Sequence, residues 1–146
     1  MIQRIQTVYL LLAALAVGLL FFVPVGYLKI PVLENISANG AVTVLSKSYL
    51  AVITGSIALV ILIAIFRFSN RKTQVLLSGL SIVFNASLSI FLFNELRSYE
   101  PAPTVISVVE YGAGIALPFI SMVFLLLAIL AIRKDDKLVK SADRLR

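Results

Sequence analysis

Residues 75–93 read VLLSGLSIVFNASLSIFLF, a stretch that is apolar and long enough to cross a bilayer yet carries polar side chains at a regular spacing. These polar residues follow one another at steps of three and four, so at helical pitch they fall on one narrow face. Lipid can cover the opposite face but cannot hydrogen-bond the polar one, so we expect the polar face to turn inward onto other helices. This polar seam consists of Gln74, Ser78, Ser81, Asn85 and Ser89.

The composition is that of a membrane protein. Apolar residues make up 60% of the 146 residues and charged residues 14%, against roughly 45–50% and about 25% in soluble domains. The mean hydropathy is +1.04, and the charges are segregated so that four long runs contain none. The sequence therefore predicts one integral membrane domain over residues 1–146.

The four uncharged runs predict transmembrane helices at about residues 7–28, 49–66, 74–94 and 111–132, followed by a charged tail at 133–146. The predicted fold is an all-α four-helix transmembrane bundle. Pro24 and Pro118 fall inside the first and fourth runs. Because proline removes a helical hydrogen bond, both positions are predicted to kink their helices.

The loops outside the membrane carry signals for a small β element. Asn39-Gly40 is a tight-turn dipeptide between residues 30–33 and residues 41–45, so this loop is either a β-hairpin or irregular. Residues 104–109, TVISVV, are β-branched and strand-like. If the hairpin forms, this segment is expected to add a third strand.

The basic residues predict the orientation. The first end, the connection at 67–72 and the tail hold 10 of the Lys and Arg residues, and the other two loops hold 3. The positive-inside rule then places both termini in the cytoplasm. The net charge of +6 thus reflects the topology, with a contribution from attraction to anionic lipids of the bilayer. Nucleic-acid binding is not predicted.

The residues that most chemistry requires are missing. Cysteine, histidine and tryptophan are absent, which excludes disulfides, thiol redox pairs and the commonest transition-metal ligands. Proton-coupled transport requires an ionisable side chain inside the membrane. The predicted spans contain none between their charged borders. Glu95, Glu100 and Glu110 are interpreted as solvated loop carboxylates. We predict no catalytic residue, no cofactor and no metal site, and thus no enzyme.

Two features carry the functional hypotheses. Asn85 lies near the middle of its helix and is expected either to hydrogen-bond a neighbouring helix or to line a ligand site, with packing favoured. Pro24 and Pro118 both fall in the outer half of the bilayer. Kinks there would open an apolar cleft to the outer leaflet, although such prolines are more often tolerated without any pocket.

The opening, MIQRIQTVYLLL at residues 1–12, resembles the start of a family of Bacteroidota four-helix membrane proteins, domain of unknown function 4293. The resemblance implies a bacterial inner membrane, four spans and a larger loop after the first helix. It implies no activity and no catalytic residues.

The favoured hypothesis is a non-enzymatic scaffold or accessory subunit of a bacterial envelope complex, with other membrane proteins or a second copy as partners. The alternative is a binder or transporter of a lipid or hydrophobic small molecule through the outer-leaflet cleft. An enzyme of lipid metabolism ranks third.

Overall fold

The structure, a computed structural model, describes residues 3–29, 40–68, 70–98 and 108–143. Most of these residues are helical, and short strands lie at one end of the helices. Short 3₁₀ turns at Val44–Ser46 and Ala113–Ala116 lead into the second and fourth helices. In chain order the elements are α1 (Gln3–Leu19), β1 (Gly26–Lys29), β2 (Gly40–Val42), α2 (Ser48–Phe66), α3 (Arg71–Ser98), β3 (Val108–Tyr111) and α4 (Leu117–Asp143).

Each helix packs against two others along a buried stripe. α1 and α3 both contact α2 and α4, so the helices form a closed ring in the order α1, α2, α3, α4. The buried positions repeat at alternating steps of four and three residues, which is the spacing of helices that cross at a shallow left-handed angle. On α2 the stripe is Leu50, Thr54, Ile57, Ile61 and Ala64, and on α4 it includes Ser121, Leu125, Ala128, Ile132 and Asp135.

The three strands form one antiparallel sheet with β1 in the centre. Tyr27 of β1 lies opposite Ala41 on one side and Glu110 on the other. We call this end of the molecule the sheet end. The opposite end, with the start of α1, the connection at 67–70 and the end of α4, is called the basic end.

The segments that join the sheet to α1 and α4 are in backbone contact. The amide of Gly112 donates to the carbonyl of Val25 at 2.8 Å, and that of Gly114 donates to the carbonyl of Pro24 at 3.0 Å. A Cβ atom on Gly112 or Gly114 would lie 2.4 or 2.7 Å from the Pro24 oxygen. Since φ of Gly112 is −87°, glycine is required there by this close approach and not by its backbone angles.

The two prolines that were predicted to kink their helices lie at helix ends: Pro24 follows α1, and Pro118 is the second residue of α4. α1 ends at Leu19. The Val23 amide still donates a helical hydrogen bond to the Leu19 carbonyl, and Pro24 then precedes β1. Proline disfavours helical geometry in the residue before it, which accounts for the end of the helix. Pro118 is the second residue of α4 and follows the 3₁₀ turn Ala113–Ala116, and proline is favoured in the first turn of an α-helix. The outer-leaflet cleft that the kinks were expected to open therefore loses its basis.

The helix boundaries differ from the predicted ones mainly at the sheet end. α1 stops nine residues before the predicted end at residue 28, and β1 occupies part of that difference. α2 begins and ends within one residue of the predicted helix. The predicted charged tail is helical through Asp143, because α4 continues past residue 132.

The small sheet is present, with two strands that overlap predicted ones and with β1 at residues predicted to be helical. β3, at Val108–Tyr111, overlaps the predicted third strand, and residues 104–107 lie outside the described residues. The first arm predicted for the hairpin, residues 30–33, also lies outside them. The described part of the predicted second arm contributes β2.

In the part of the chain that the structure describes, three helical segments are long and apolar enough to cross a membrane. They are Ser48–Phe66, Arg71–Ser98 and Ala113–Val139. The apolar part of α1, Ile5–Leu19, is shorter. The described residues therefore contain three helices of full membrane-spanning length, where four spans were predicted.

Candidate functional site

The polar seam of α3 faces the interior, as its spacing predicts. All five of its side chains, Gln74, Ser78, Ser81, Asn85 and Ser89, are buried between the packed helices. Toward the sheet end, the buried stripe of α3 continues with Leu88, Leu92 and Leu96. The stripe is therefore polar in one half and apolar in the other.

The seam residues hydrogen-bond within their own helix. The hydroxyls of Ser78 and Ser89 donate to the carbonyls of Gln74 and Asn85, each at 2.9 Å. The hydroxyl of Ser81 donates to the carbonyl of Leu77 at 2.9 Å. These bonds satisfy the serine donors without a partner from another helix.

Among the described residues Asn85 forms no hydrogen bond to a neighbouring helix, which was one of the two roles expected for it. Its Nδ2 donates to the Ser81 carbonyl, one turn earlier on α3, at 2.9 Å. Its Oδ1 is buried and accepts no hydrogen bond from the described residues. The Oγ1 of Thr54 on α2 is likewise buried without a hydrogen-bond partner in the described part of the chain. Whether the seam packs or lines a ligand site stays a prediction.

In the interior of the helix ring, two hydrogen bonds join α1 to α4. The hydroxyl of Ser121 on α4 donates to the Ala13 carbonyl of α1 at 3.2 Å. The Nε2 of Gln6 on α1 donates to the Ala131 carbonyl of α4 at 3.4 Å. Sequence reasoning missed both, although Ser121 is an isolated polar residue in the apolar run 111–132 and was a detectable signal.

Replacing Asn85 with leucine is expected to leave the free energy of unfolding within about 1 kcal/mol of the wild type. The substitution removes a buried oxygen that has no partner, and it gives up only a bond within one helix. The matched variant Ser121→Ala removes an interhelical bond and should destabilise by about 0.6–1 kcal/mol. Unfolding in mixed micelles measures both. A loss above about 2 kcal/mol for Asn85→Leu would instead indicate an acceptor role toward a ligand or a partner helix.

A polar cluster joins α2 and α3 at the sheet end. The hydroxyl of Tyr49 donates to Oε2 of Glu95 at 2.6 Å, and Nζ of Lys47 lies 3.4 Å from the other carboxylate oxygen. Of the three loop carboxylates considered from the sequence, Glu95 is thus partly buried and paired, and Glu110 lies in β3. Glu100 lies outside the described residues. The cluster holds the start of α2 against the end of α3.

An ion-pair cluster joins α3 and α4 at the basic end. Nη2 of Arg71 lies 3.0 Å from Oδ2 of Asp135, and Nη1 lies 3.8 Å from Oδ1 of Asp136. The side chains of Arg71 and Asp135 are only 25% and 11% exposed. The sequence placed these residues on the same side of the membrane, but only the packing of α3 against α4 brings them together.

The described residues contain no group of three or more side chains of the His, Cys, Asp and Glu types that could hold a metal ion. A comparison with curated proteins and a comparison with solved structures each found no match. A family model described as Domain of unknown function (DUF4293) matches residues 2–145. This match agrees with the family resemblance of the opening residues and extends over nearly the whole chain. The protein therefore belongs to the DUF4293 family, whose function is unknown.

Proposed function

We propose that this protein is a non-enzymatic integral membrane protein of the bacterial inner membrane that serves as a scaffold or accessory subunit of an envelope complex. The observation that carries the proposal is a groove between α2 and α3 on the outside of the helix ring. Three helices of membrane-spanning length support the location. The excess of Lys and Arg at the basic end supports placing both termini in the cytoplasm.

The interior of the helix ring supports a packing role for the seam. Its side chains are buried, and Ser78, Ser81 and Ser89 already donate to carbonyls of α3. A seam that satisfies its own donors can fill the interior without a ligand. The alternative of lipid binding through an outer-leaflet cleft depended on the two proline kinks and is not proposed.

The α2–α3 groove has the chemistry of a helix-docking surface. Its volume is about 340 Å³, and its lining includes the small side chains of Ser56 and Ser87. The hydroxyl of Ser56 donates to the Val52 carbonyl at 2.7 Å, and that of Ser87 donates to the Val83 carbonyl at 3.1 Å. Because both serine hydroxyls already donate hydrogen bonds within their own helices, an apolar side chain can pack closely against them.

The position of the groove along the helices limits what can occupy it. Ser56 is near the midpoint of the 19-residue helix α2, and the exposed rings of Phe84 and Phe91 flank the groove on α3. At this depth in a bilayer, only lipid chains or another helix can be adjacent. We take the occupant to be an apolar transmembrane helix of a partner protein, because small residues let two helix backbones approach closely.

The substitution Ser87→Trp is expected to release the partner. Tryptophan would fill the groove from α3, so the protein extracted in mild detergent should lose its larger native mass and its co-purifying helix protein. The control is Ala86→Trp, the adjacent exposed position, which is not among the residues that line the groove. This variant should keep the native mass of the wild type.

The proposal fails if the wild type extracted at natural abundance is a lone monomer. It also fails if both tryptophan variants retain the complex or both lose it. If the wild type is a dimer of this chain and only Ser87→Trp dissociates it, the helix in the groove comes from a second copy of this chain and not from a partner protein.

A further inference from the structure

A second groove lies at the basic end, between the first turns of α3 and the last turns of α4. Its volume is about 550 Å³. Four cationic side chains line it: Arg71 and Lys72 from α3, and Arg133 and Lys137 from α4. One carboxylate, that of Asp136, also lines it, so the lining carries an excess of positive charge.

The cations of this groove are not equivalent. Arg71 is held by its ion pairs with Asp135 and Asp136. Lys72, Arg133 and Lys137 are exposed, and none of them has an ion-pair partner among the described residues. These three side chains therefore remain available to an anion.

The floor of the groove is apolar. Val75 and Leu76 lie one turn deeper along α3 than Arg71 and Lys72, and Ile132 lies one turn deeper along α4 than Asp136. Leu76 is 67% exposed. The groove thus changes from cationic at its mouth to apolar toward the middle of the helices, so it is complementary to a molecule with an anionic head and an apolar chain.

We propose that this groove binds an anionic phospholipid of the leaflet that contacts the basic end. The phosphate lies among Lys72, Arg133 and Lys137, and an acyl chain lies along Val75 and Leu76. Each basic residue near an anionic lipid surface favours binding, and the convergence of three of them in one groove makes the attraction local. The inference goes beyond the scaffold role and does not depend on it, because this groove lies between α3 and α4.

The test compares two double variants of the full-length protein in a neutral detergent. The groove variant is Lys72→Gln with Arg133→Gln. The control variant is Arg67→Gln with Lys134→Gln, which removes the same charges at the same end from residues that do not line the groove. Binding of phosphatidylglycerol and of phosphatidylcholine with the same acyl chains is measured by native mass spectrometry.

The wild type is expected to bind phosphatidylglycerol at least tenfold more tightly than phosphatidylcholine. The groove variant should lose about tenfold or more of this affinity, and the control variant should stay within about twofold of the wild type. Equal losses in the two double variants would mean diffuse attraction to the whole basic end and would overturn the proposal. Equal binding of the two lipids by the wild type would also overturn it.

A second comparison separates a lipid from a soluble phosphate. Leu76→Ala should weaken phosphatidylglycerol binding several-fold, whereas Leu80→Ala, one turn further along α3 and outside the groove lining, should not. If inorganic phosphate displaces the lipid and Leu76→Ala has no effect, the groove binds a soluble anion and the lipid assignment is wrong. None of these results changes the outcome of the tryptophan test in the α2–α3 groove.

Discussion

Replacing Gly112 with alanine is expected to lower the free energy of unfolding by about 3 kcal/mol. The added methyl group would meet the Pro24 oxygen at 2.4 Å, the carbonyl carbon of Val25 at 3.0 Å and the amide nitrogen of Gly26 at 3.1 Å. All three are backbone atoms, which cannot rotate away as a flexible side chain can. Relief requires the segments to separate, which would break the bonds from Gly112 to Val25 and from Gly114 to Pro24.

The matched control is Gly79→Ala, in the interior of α3. A Cβ atom there meets nothing within 4 Å, and alanine is favoured over glycine in a helix interior by about 0.5–1 kcal/mol. Unfolding in mixed micelles should therefore show stabilisation at residue 79 and destabilisation at residue 112. Equal small effects at both positions would contradict the close approach of the segments that follow α1 and precede α4.

Replacing Arg71 with methionine is expected to cost about 3 kcal/mol of unfolding free energy, the second large effect. The substitution leaves the carboxylate of Asp135, which is 11% exposed, without its cation 3.0 Å away. A buried charge without a partner is much more costly than the net value of the pair. The measurement is again unfolding in mixed micelles.

The double variant Arg71→Met with Asp135→Leu should recover most of that loss. Replacing both members of a buried pair with apolar side chains removes the stranded charge, and such exchanges are often near neutral. Asp136→Asn is the control, because Asp136 is 39% exposed and lies 3.8 Å from Arg71; it should cost less than about 1 kcal/mol. A double variant as unstable as Arg71→Met alone would show that the stranded charge is not the cause.

The sequence predicts the interior of this molecule better than its ends. Polar residues at steps of three and four in α3 must lie on one face of the helix. Ser78, Ser81 and Asn85 are on this face and are buried. The end of α1 could not be read in this way. Residues 20–28 are as apolar as the helix before them, and β1 forms only because β2 and β3, distant in sequence, supply its hydrogen bonds.

The partners of polar side chains were also beyond the sequence. The position of Asn85 follows from the helical period, but its choice of the Ser81 carbonyl depends on a local competition with the backbone of its own helix. Arg71 and Asp135 are 64 positions apart in the chain, and their pairing depends on the register between α3 and α4. Patterns within one segment carry no information about such a register.

The short first helix has a consequence for the surrounding lipid. At about 1.5 Å per residue, the apolar part of α1, Ile5–Leu19, covers about 22 Å, whereas the hydrocarbon layer of a bilayer is about 30 Å thick. The long helices α3 and α4 have no such deficit. The apolar residues 20–23 that follow α1 reduce this deficit, and the remaining difference thins the membrane beside α1 at a cost of fractions of a kcal/mol per Å of mismatch. Such an elastic deformation is relieved when two proteins share one thinned region, so hydrophobic mismatch along α1 favours clustering even without a specific contact.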